Sequence, residues 1–600
     1  MQPTATRGSS SDHLLVKSIT PRDGQALEVR TITVLTGPNN AGKSELLHDV
    51  LRLAANLEPG GAPRERGEEP QTRVLSDLAF VSRLTVERLL RGLISVADRY
   101  GEQRWVQGIG PDLKTSCRRS LPAELKSILY RPVLTARSVR TTALGELMPL
   151  RVAFLGCKDR QELLAPTTTC SPARAPENLL QALRYADRSV HEDLDAAFSA
   201  AFPGLHVQLD ATEQLHLYLR LASQFPQPSC DPIEAVRQFE GLPRADEQGD
   251  GCRNYLAIVL TFLLGQGRIV LLDQPELFLY PQQARQLGCW ISDNAPRLGC
   301  QVFLATHSVQ LLRGLLDGSA DVTILRLTRT GNATAIRVVP AEIAAALARL
   351  PQLASQQALD CLFREGAVVA PEADDSLVYE TAAARLLDIG SVRFLHAHGG
   401  KQLGPLARIL RQASIPTCVV AGLDVLRTEA EFSELVQAVT GEPLPASFLA
   451  TRERLAKYVE GLYDERALSA SAHEVERFLE QFKRGTLPDA VRPRSAPPRD
   501  PAQQWSRLQR DQLADLPTEL RVWVEELLEE LKRKGIFLSP KGHSRVWFPA
   551  ADQESWFAKA MQALQRGDCP PDLRAFVADI LAHLRACAMP ARAARARPGT

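Results

Sequence analysis

A glycine-rich segment near the N-terminus has the residue types and spacing that hold phosphate groups. It matches G-x-x-x-x-G-K-[ST] at Gly37, Gly42, Lys43 and Ser44, after the apolar run TITVL. Glycines let backbone N–H groups approach phosphate oxygens, the lysine reaches the β- and γ-phosphates, and the serine binds Mg²⁺. The strand pattern before the motif and the helix pattern after it disfavour a simple glycine-rich turn. The segment predicts an ATP and Mg²⁺ site that also includes Asn39, Asn40, Ala41 and Glu45.

Two further residues follow apolar, strand-like runs and suit the same chemistry. Asp273 ends the run RIVLLD, and a carboxylate at the end of a buried strand is the second Mg²⁺ ligand that a P-loop needs. An aspartate in a turn or helix cap is the alternative. His307 follows the run CQVFLAT, where a sensor of the γ-phosphate would lie. A structural histidine is the alternative there, but the P-loop and Asp273 favour the functional interpretation.

These motifs resemble the ATPase half of the OLD family of ATP-dependent nucleases, with the Gabija-type defence nucleases as relatives. The family commonly reads D-E-P-E-x-x-L-H-P, where this chain reads D-Q-P-E-L-F-L-Y-P from Asp273 to Pro281. The segment EQGDGCRNYL (247–256) resembles the family's signature, which closes over ATP held by another subunit. The resemblance implies a homodimer or higher homo-oligomer in which four residues face the partner's γ-phosphate: Gly249, Asp250, Gly251 and Arg253.

Gln274 departs from the family pattern at the position that polarises the attacking water. The family has a glutamate there, whereas an amide orients water but accepts protons poorly. Loss of a positioned base costs about 10²–10⁴-fold in rate. We therefore expect ATP binding with slow or absent hydrolysis. The catalytic candidates are Gln274, Glu276 and His307, and Glu276 substitutes for the missing base if its loop bends.

A second group of polar residues follows the apolar runs GAVVA, VRFLH and CVVAGL. This order resembles the TOPRIM domain of OLD proteins, whose clustered carboxylates hold Mg²⁺ for DNA cleavage. Two of the family's carboxylates fall on Ala370 and Gly422, and a third falls on Arg545. The remaining candidates are Glu372, Asp374, Lys401 and Asp424. We expect a degenerate TOPRIM-like domain with doubtful nuclease activity. A shifted strand that restores a single-metal site and an unrelated small α/β domain are the alternatives.

The elements that position these residues predict an α/β fold, because strands alternate with helices of about ten residues. We expect an ABC-type P-loop ATPase with an insertion, then a small parallel α/β (TOPRIM-like) domain and a helical C-terminal segment. The predicted boundaries are 1–340 for the ATPase domain with its insertion at about 75–240, 341–365 for a helical connector, 366–470 for the TOPRIM-like domain, 471–588 for a mainly helical region and 589–600 for a disordered tail.

Composition narrows the possible partners. The 600 residues carry a net charge of +1, so any DNA contact must come from local patches. The eleven cysteines lack metal-binding spacing, which is typical of a reducing cytoplasm. No apolar run approaches the ~20 residues of a membrane span. We expect a cytoplasmic protein without membrane contact.

Two functions follow from the resemblance, which is a weaker warrant than a site. The first is a dimerising regulatory or sensor subunit of a prokaryotic anti-phage defence or DNA-repair system, which binds ATP, either binds DNA or senses an invader, and leaves the action to a separate effector protein. The second is an active, ATP-regulated DNA endonuclease of the OLD type. A membrane-transporter ATPase subunit is disfavoured because no coupling helix is recognisable.

Overall fold

The computed structural model describes residues 16–56, 71–80, 94–97, 104–121, 134–135, 147–172, 174–350, 352–384, 391–459, 516–539, 544–548 and 556–588. The predicted tail at 589–600 lies outside these residues, as does much of the predicted insertion before residue 147. The chain divides into two compact units, Met1–Phe363 and Arg364–Thr600.

The first unit contains the strands β1 Val16–Pro21, β2 Leu27–Glu28, β3 Ile32–Thr36, β4 Leu75–Phe80, β5 Ile94–Ala97, β6 Arg104–Ile109, β7 Ser116–Leu121, β8 Leu134–Thr135, β9 Val152–Leu155, β10 Thr167–Thr168, β11 His206–Asp210, β12 His216–Ala222, β13 Ile269–Asp273, β14 Gln301–Ala305, β15 Val322–Thr330 and β16 Ala333–Val339. Its helices are α1 Lys43–Ala55, α2 Cys157–Glu162, α3 Leu179–Arg184, α4 Arg188–Ala201, α5 Pro232–Glu240, α6 Asp250–Leu264, α7 Pro281–Arg297, α8 Val309–Asp317, α9 Ala341–Arg349 and α10 Gln352–Asp360.

The second unit contains the strands β17 Gly366–Ala370, β18 Val392–His396, β19 Thr417–Gly422 and β20 Ile536–Ser539. Its helices are α11 Ala373–Ala384, α12 Leu403–Gln412, α13 Glu429–Thr440, α14 Thr518–Arg533, α15 Trp556–Arg566 and α16 Pro571–Ala588. Residues 446–459 are also helical.

A six-stranded sheet forms the centre of the first unit, in the order β16-β15-β3-β14-β13-β9. All neighbours pair in parallel except β15 and β16. Every residue of β3 and β14 is buried, because a parallel sheet covered on both faces selects continuous apolar runs. The carboxyl ends of β3, β14 and β13 lie side by side, which is where α/β proteins bind ligands.

The sequence range predicted as an insertion also contributes to this sheet. Strand β9 pairs with β13 in parallel, with Val152 opposite Ile269. The other strands of the first unit form small antiparallel sheets in the orders β2-β1-β4-β8, β5-β6-β7 and β10-β12-β11. Helix α6 is apolar over most of its circumference and buries ten of its fifteen residues. It therefore packs inside the unit, and only residues at its two ends are partly accessible.

The second unit has a four-stranded sheet in the order β18-β17-β19-β20, and all its neighbours are parallel. Strand β20 comes from the region predicted to be mainly helical, and it pairs Gly422 with Ser539. The predicted fold class, an α/β P-loop fold followed by a small parallel α/β unit and C-terminal helices, is confirmed. No helix of the described residues is long and apolar enough to cross a membrane.

Candidate nucleotide site

The P-loop connects β3 to α1 and has a backbone that only glycine tolerates at its first position. Gly37 has φ +133°, and a Cβ atom there would lie 2.1 Å from the Leu327 carbonyl oxygen of β15. Gly42, with φ +95°, precedes the first residue of α1. Arg329 Nη1 also donates to Asn40 Oδ1 at 3.2 Å. The loop therefore packs directly against the β15–β16 hairpin.

Lys43 lies inside this loop. Its Nζ donates to the carbonyl oxygens of Gly37 at 2.9 Å and Pro38 at 2.7 Å. Burial lowers the pKa of Lys43 to about 8, and the nearby carboxylates of Asp273 and Glu276 partly offset this effect. A buried cation whose partners are only loop carbonyls has donors that suit phosphate oxygens, so the loop fits a triphosphate.

Ser44 and Asp273 come together although 229 positions separate them in the chain. Ser44 Oγ donates to Asp273 Oδ1 at 3.1 Å. A hydroxyl and a carboxylate are hard oxygen ligands of the kind that Mg²⁺ prefers, and Mg²⁺ usually takes one or two such groups together with water and substrate phosphates. The pair therefore fits a Mg²⁺–nucleotide complex.

Glu276 and His307 lie next to each other at the ends of β13 and β14. The backbone N–H of His307 donates to Glu276 Oε1 at 2.8 Å, while Glu276 Oε2 is buried without a hydrogen-bond partner among the described residues. Burial raises the pKa of the Glu276 carboxyl, and hydrogen bonds from His307 and Thr306 act in the opposite direction. The His307 ring centroid lies 6.1 Å from that of Phe363. The structure therefore fixes Glu276 against the strand that carries His307.

Gln274 begins the Walker B loop, the name used here for residues 274–279. Its φ of 48° is unusual for a residue with a Cβ atom. Its N–H donates to the Ala305 carbonyl at 2.9 Å, and its carbonyl accepts from Arg160 Nη2 at 2.9 Å. Both backbone groups are thus held, which fixes the start of the loop directly after Asp273.

Two residues that the motifs did not reveal, Arg160 and Asn254, form hydrogen bonds with backbone carbonyls of the Walker B loop and of Asp273 before it. Arg160 of α2 has 0% exposure and donates to the carbonyls of Leu155 at 2.7 Å and Asp273 at 2.9 Å. Its Nε donates to Asn254 Oδ1, and Asn254 Nδ2 donates to the carbonyls of Pro275 and Leu277. The sequence signal for Arg160 is only a basic residue in the charged segment CKDRQE that follows β9.

The predicted signature residues lie around the start of α6 and differ in their surroundings. Gly249 is exposed, with nothing within 4 Å of the position of a Cβ atom, whereas a Cβ on Gly251 would lie 2.5 Å from the Phe278 carbonyl oxygen. Arg253 forms an ion pair with Asp250. Within the described residues, no hydrogen bond or ion pair joins this group to the P-loop. A single chain therefore leaves these residues apart from its own phosphate site.

The remaining predicted P-loop residues have different roles in the structure. The Ala41 N–H donates to the Pro38 carbonyl at 3.3 Å, and Asn39 is exposed at the loop surface. The Glu45 carboxylate accepts from Arg52 Nη1 at 2.8 Å. Glu45 therefore forms an ion pair with Arg52 within α1.

In the second unit, Ala370 and Gly422 are the last residues of the adjacent strands β17 and β19. The four other candidates are exposed beyond the strand ends: Glu372, Asp374, Lys401 and Asp424. The described residues contain no group of three or more His, Cys, Asp or Glu arranged to hold a metal ion. The neighbouring Asp375 is buried and accepts from the Ser544 N–H at 2.9 Å. The four candidates thus follow the carboxyl ends of β17, β18 and β19 in the chain.

A family model described as "AAA domain, putative AbiEii toxin, Type IV TA system" matches residues 182–313. The chain carries an AAA-type ATPase-like domain. The matched segment includes α6, Asp273, Glu276 and His307, so it contains the Walker B half of the site described above. A search of curated proteins gives no match.

Several solved structures of SMC head domains are similar to this chain. The SmcHead bound to the C-winged helix domain of ScpA is 12% identical with a TM-score of 0.34, over 55% of this chain and 99% of that one. The SMC head domain from Thermotoga maritima is 14% identical with a TM-score of 0.27, over 55% and 98%. The Smc head domain derived from Pyrococcus furiosus is 10% identical with a TM-score of 0.31, over 56% and 98%.

Proposed function

We propose that this protein is an ATP-binding ABC-type ATPase that hydrolyses ATP slowly or not at all. It acts as a dimerising regulatory or sensor subunit in a prokaryotic anti-phage defence or DNA-repair system. The observation that carries the proposal is the contact between Ser44 Oγ and Asp273 Oδ1 at 3.1 Å beside the buried Lys43. These three groups are what a Mg²⁺–triphosphate complex requires of a P-loop.

The division of roles follows from the geometry. The P-loop N–H groups and Lys43 bind the triphosphate, and Ser44 and Asp273 hold Mg²⁺. The ion neutralises charge on the phosphates when it is bound. Gln274 orients water but does not take its proton. Glu276 is the alternative base, but its Oε1 accepts from the His307 N–H and its Oε2 is buried. Slow turnover is the expected result.

The accessible signature glycine supports the dimer. Gly249 is exposed at the start of α6 and has space around it. The N-terminus of a helix suits an anion because its first N–H groups have no partner within the helix, and the ligand we propose is the γ-phosphate bound by a second copy of the chain. Binding of ATP would then close two subunits together.

The regulatory role, as opposed to a nuclease role, is supported by the strand ends of the second unit. In the resemblance to OLD-type TOPRIM domains, two of the carboxylates fall on Ala370 and Gly422, whose side chains supply no metal ligand. We propose that this unit keeps the fold and binds DNA or an effector protein without cutting. An active ATP-regulated endonuclease is the competing function.

The ATP site is tested by equilibrium binding of a labelled, non-hydrolysable ATP analogue with Mg²⁺, together with molar mass by light scattering. We expect saturable binding and a shift to dimer or larger oligomer in the presence of the analogue. Lys43→Ala should abolish both, and Lys457→Ala, which removes an exposed lysine paired with Glu453, should change neither. Equal binding by the Lys43→Ala variant would refute the proposal.

The competing function is tested with supercoiled plasmid, Mg²⁺ or Mn²⁺, and ATP. We expect the plasmid to remain intact. Metal-dependent nicking that disappears in the Asp424→Asn variant would establish the endonuclease instead. Nicking that persists in that variant would indicate a contaminating nuclease.

A further inference from the structure

The guanidinium of Arg160 donates hydrogen bonds to backbone carbonyls at the proposed nucleotide site. The described residues contain no salt bridge to Arg160, although its side chain is completely buried. Its guanidinium donates to the carbonyls of Leu155, Asp273 and Gln274 and to the Asn254 side chain. Burial of a charged group is costly unless it is fully hydrogen-bonded, and the planar guanidinium has five donors in a fixed geometry that can satisfy several acceptors at once. Two of these four partners, the carbonyls of Asp273 and Gln274, lie where β13 passes into the Walker B loop.

Asn254 extends this network to α6. It accepts from Arg160 Nε and donates through one amide nitrogen to the carbonyls of Pro275 at 2.8 Å and Leu277 at 3.0 Å. Asn254 lies in the first turns of α6, close to the exposed Gly249 that precedes this helix. A displacement of α6 therefore reaches the Walker B loop through hydrogen bonds and through the close packing of Gly251 against Phe278.

We propose that Arg160 and Asn254 are positioning residues that couple the signature helix to the Mg²⁺ ligand. Arg160 holds the carbonyls of Asp273 and Gln274, so the Asp273 carboxylate points at the Mg²⁺ position beside Ser44. Asn254 ties the same loop to α6. Closure of a second subunit on the start of α6 thus changes the hold on Mg²⁺, and the coupling is reciprocal. This inference rests on the proposed ATP site and deepens it by naming its regulation.

The test compares Arg160→Met with Arg151→Met in the full chain. Arg151 is also buried, and its Nη1 donates to the carbonyls of Gln266 and Gly267, before β13 begins rather than after it ends. The affinity for a labelled, non-hydrolysable ATP analogue is measured in EDTA and in Mg²⁺. Removal of a residue that orients a metal ligand typically costs about 10–100-fold in metal affinity. We expect the gain in affinity produced by Mg²⁺ to fall about tenfold or more in Arg160→Met and to stay unchanged in Arg151→Met.

A second measurement does not depend on nucleotide or metal. Amide hydrogen exchange of residues 274–279 in the free protein should be faster in Arg160→Met and in Asn254→Ala than in Arg151→Met. If Arg160→Met does not fold, Asn254→Ala decides the question in both assays, because it removes the link to α6 while Arg160 keeps its hydrogen bonds to three backbone carbonyls. Arg160→Lys should restore part of the Mg²⁺ effect, since an ammonium group replaces some of the donors.

The outcomes separate this inference from the proposed function. Failure of the unmodified protein to bind the analogue would refute the ATP site itself. Normal binding with an unchanged Mg²⁺ effect in Arg160→Met and Asn254→Ala would refute only the coupling. An equal loss in Arg151→Met would show that any buried arginine of this unit has the same effect, and it would also refute the coupling.

Discussion

At the scale of the residue, Gln274 and Glu276 of the Walker B loop determine whether the proposed site has a general base for the attacking water. The Gln274 backbone is held by Ala305 and Arg160, so the side chain leaves the chain at a fixed point after Asp273. Glu276 has a carboxylate, but the His307 N–H donates to its Oε1 and its Oε2 is buried. The proposed ATP site therefore lacks a free, well-placed base.

Substitution of the amide by a carboxylate at this position tests that argument. Gln274→Glu should raise the rate of phosphate release by about 10²-fold or more, because a positioned general base contributes about 10²–10⁴-fold. The measurement is steady-state phosphate release with saturating ATP and Mg²⁺. Affinity for the non-hydrolysable analogue should stay within a factor of about three, since Gln274 is not part of the phosphate cradle.

Gln274→Ala is the matched control and should leave the slow rate unchanged or lower it. Turnover of the unmodified protein near the typical enzyme rate of about 10 s⁻¹ would contradict the argument. So would an equal rate in all three proteins.

At the scale of the element, strand ends gather residues that lie far apart in the chain. The apolar runs RIVLLD and CQVFLAT predicted β13 and β14 within one residue at each end, because fully buried strands have continuous apolar sequences. Because the ends of these strands could be predicted, the location of Asp273 and His307 at the carboxyl edge of the sheet could be predicted as well. Arg160 could not be predicted in this way, because hydrogen bonds to backbone carbonyls require no particular partner residue. The pairing of β9 with β13 was equally hidden inside the predicted insertion.

The two signature glycines should respond differently to the same substitution. A Cβ atom on Gly251 would lie 2.5 Å from the Phe278 carbonyl oxygen, so Gly251→Ala must displace α6 or the Walker B loop. Such overpacking costs about 1–3 kcal/mol. Gly249→Ala meets nothing within 4 Å and should cost less than about 1 kcal/mol as a change of N-cap residue. The measurement is the thermal unfolding midpoint of the nucleotide-free protein.

The same pair also separates packing from subunit contact. Gly249→Ala should keep the unfolding midpoint and weaken the oligomer that forms with the ATP analogue, because the proposed partner approaches this backbone. Equal midpoints for both variants would show that α6 does not depend on its contact with Phe278. Normal oligomer formation by Gly249→Ala would argue against a partner at this glycine.

At the scale of the whole molecule, the sheet of the second unit combines three strands that are close together in the chain with one strand that is distant in the chain. The first three strands of the second sheet lie within residues 366–422 and were predicted from their alternation with helices. Strand β20 joins them from position 536, with Val419 opposite Ile536. Long-range pairing of this kind leaves no local signal, because IFLS is too short to distinguish a strand from the end of a helix. The region predicted to be mainly helical therefore completes the sheet.

A chain that ends at residue 470 should lose the fold of the second unit. It lacks β20, which contains Phe537, and α16, which contains Phe576 and Ile580. These three side chains pack in one core with Val368 and Val420. Each such buried side chain stabilises the fold by about 1.5–3 kcal/mol, and a domain has only about 5–15 kcal/mol in total. Limited proteolysis should therefore degrade residues 364–470 while the first unit resists and still binds the ATP analogue. A chain that ends at residue 588 should behave as the full chain does. A protease-resistant fragment of 364–470 would show instead that three strands suffice, and that the C-terminal helices cover the sheet without stabilising it.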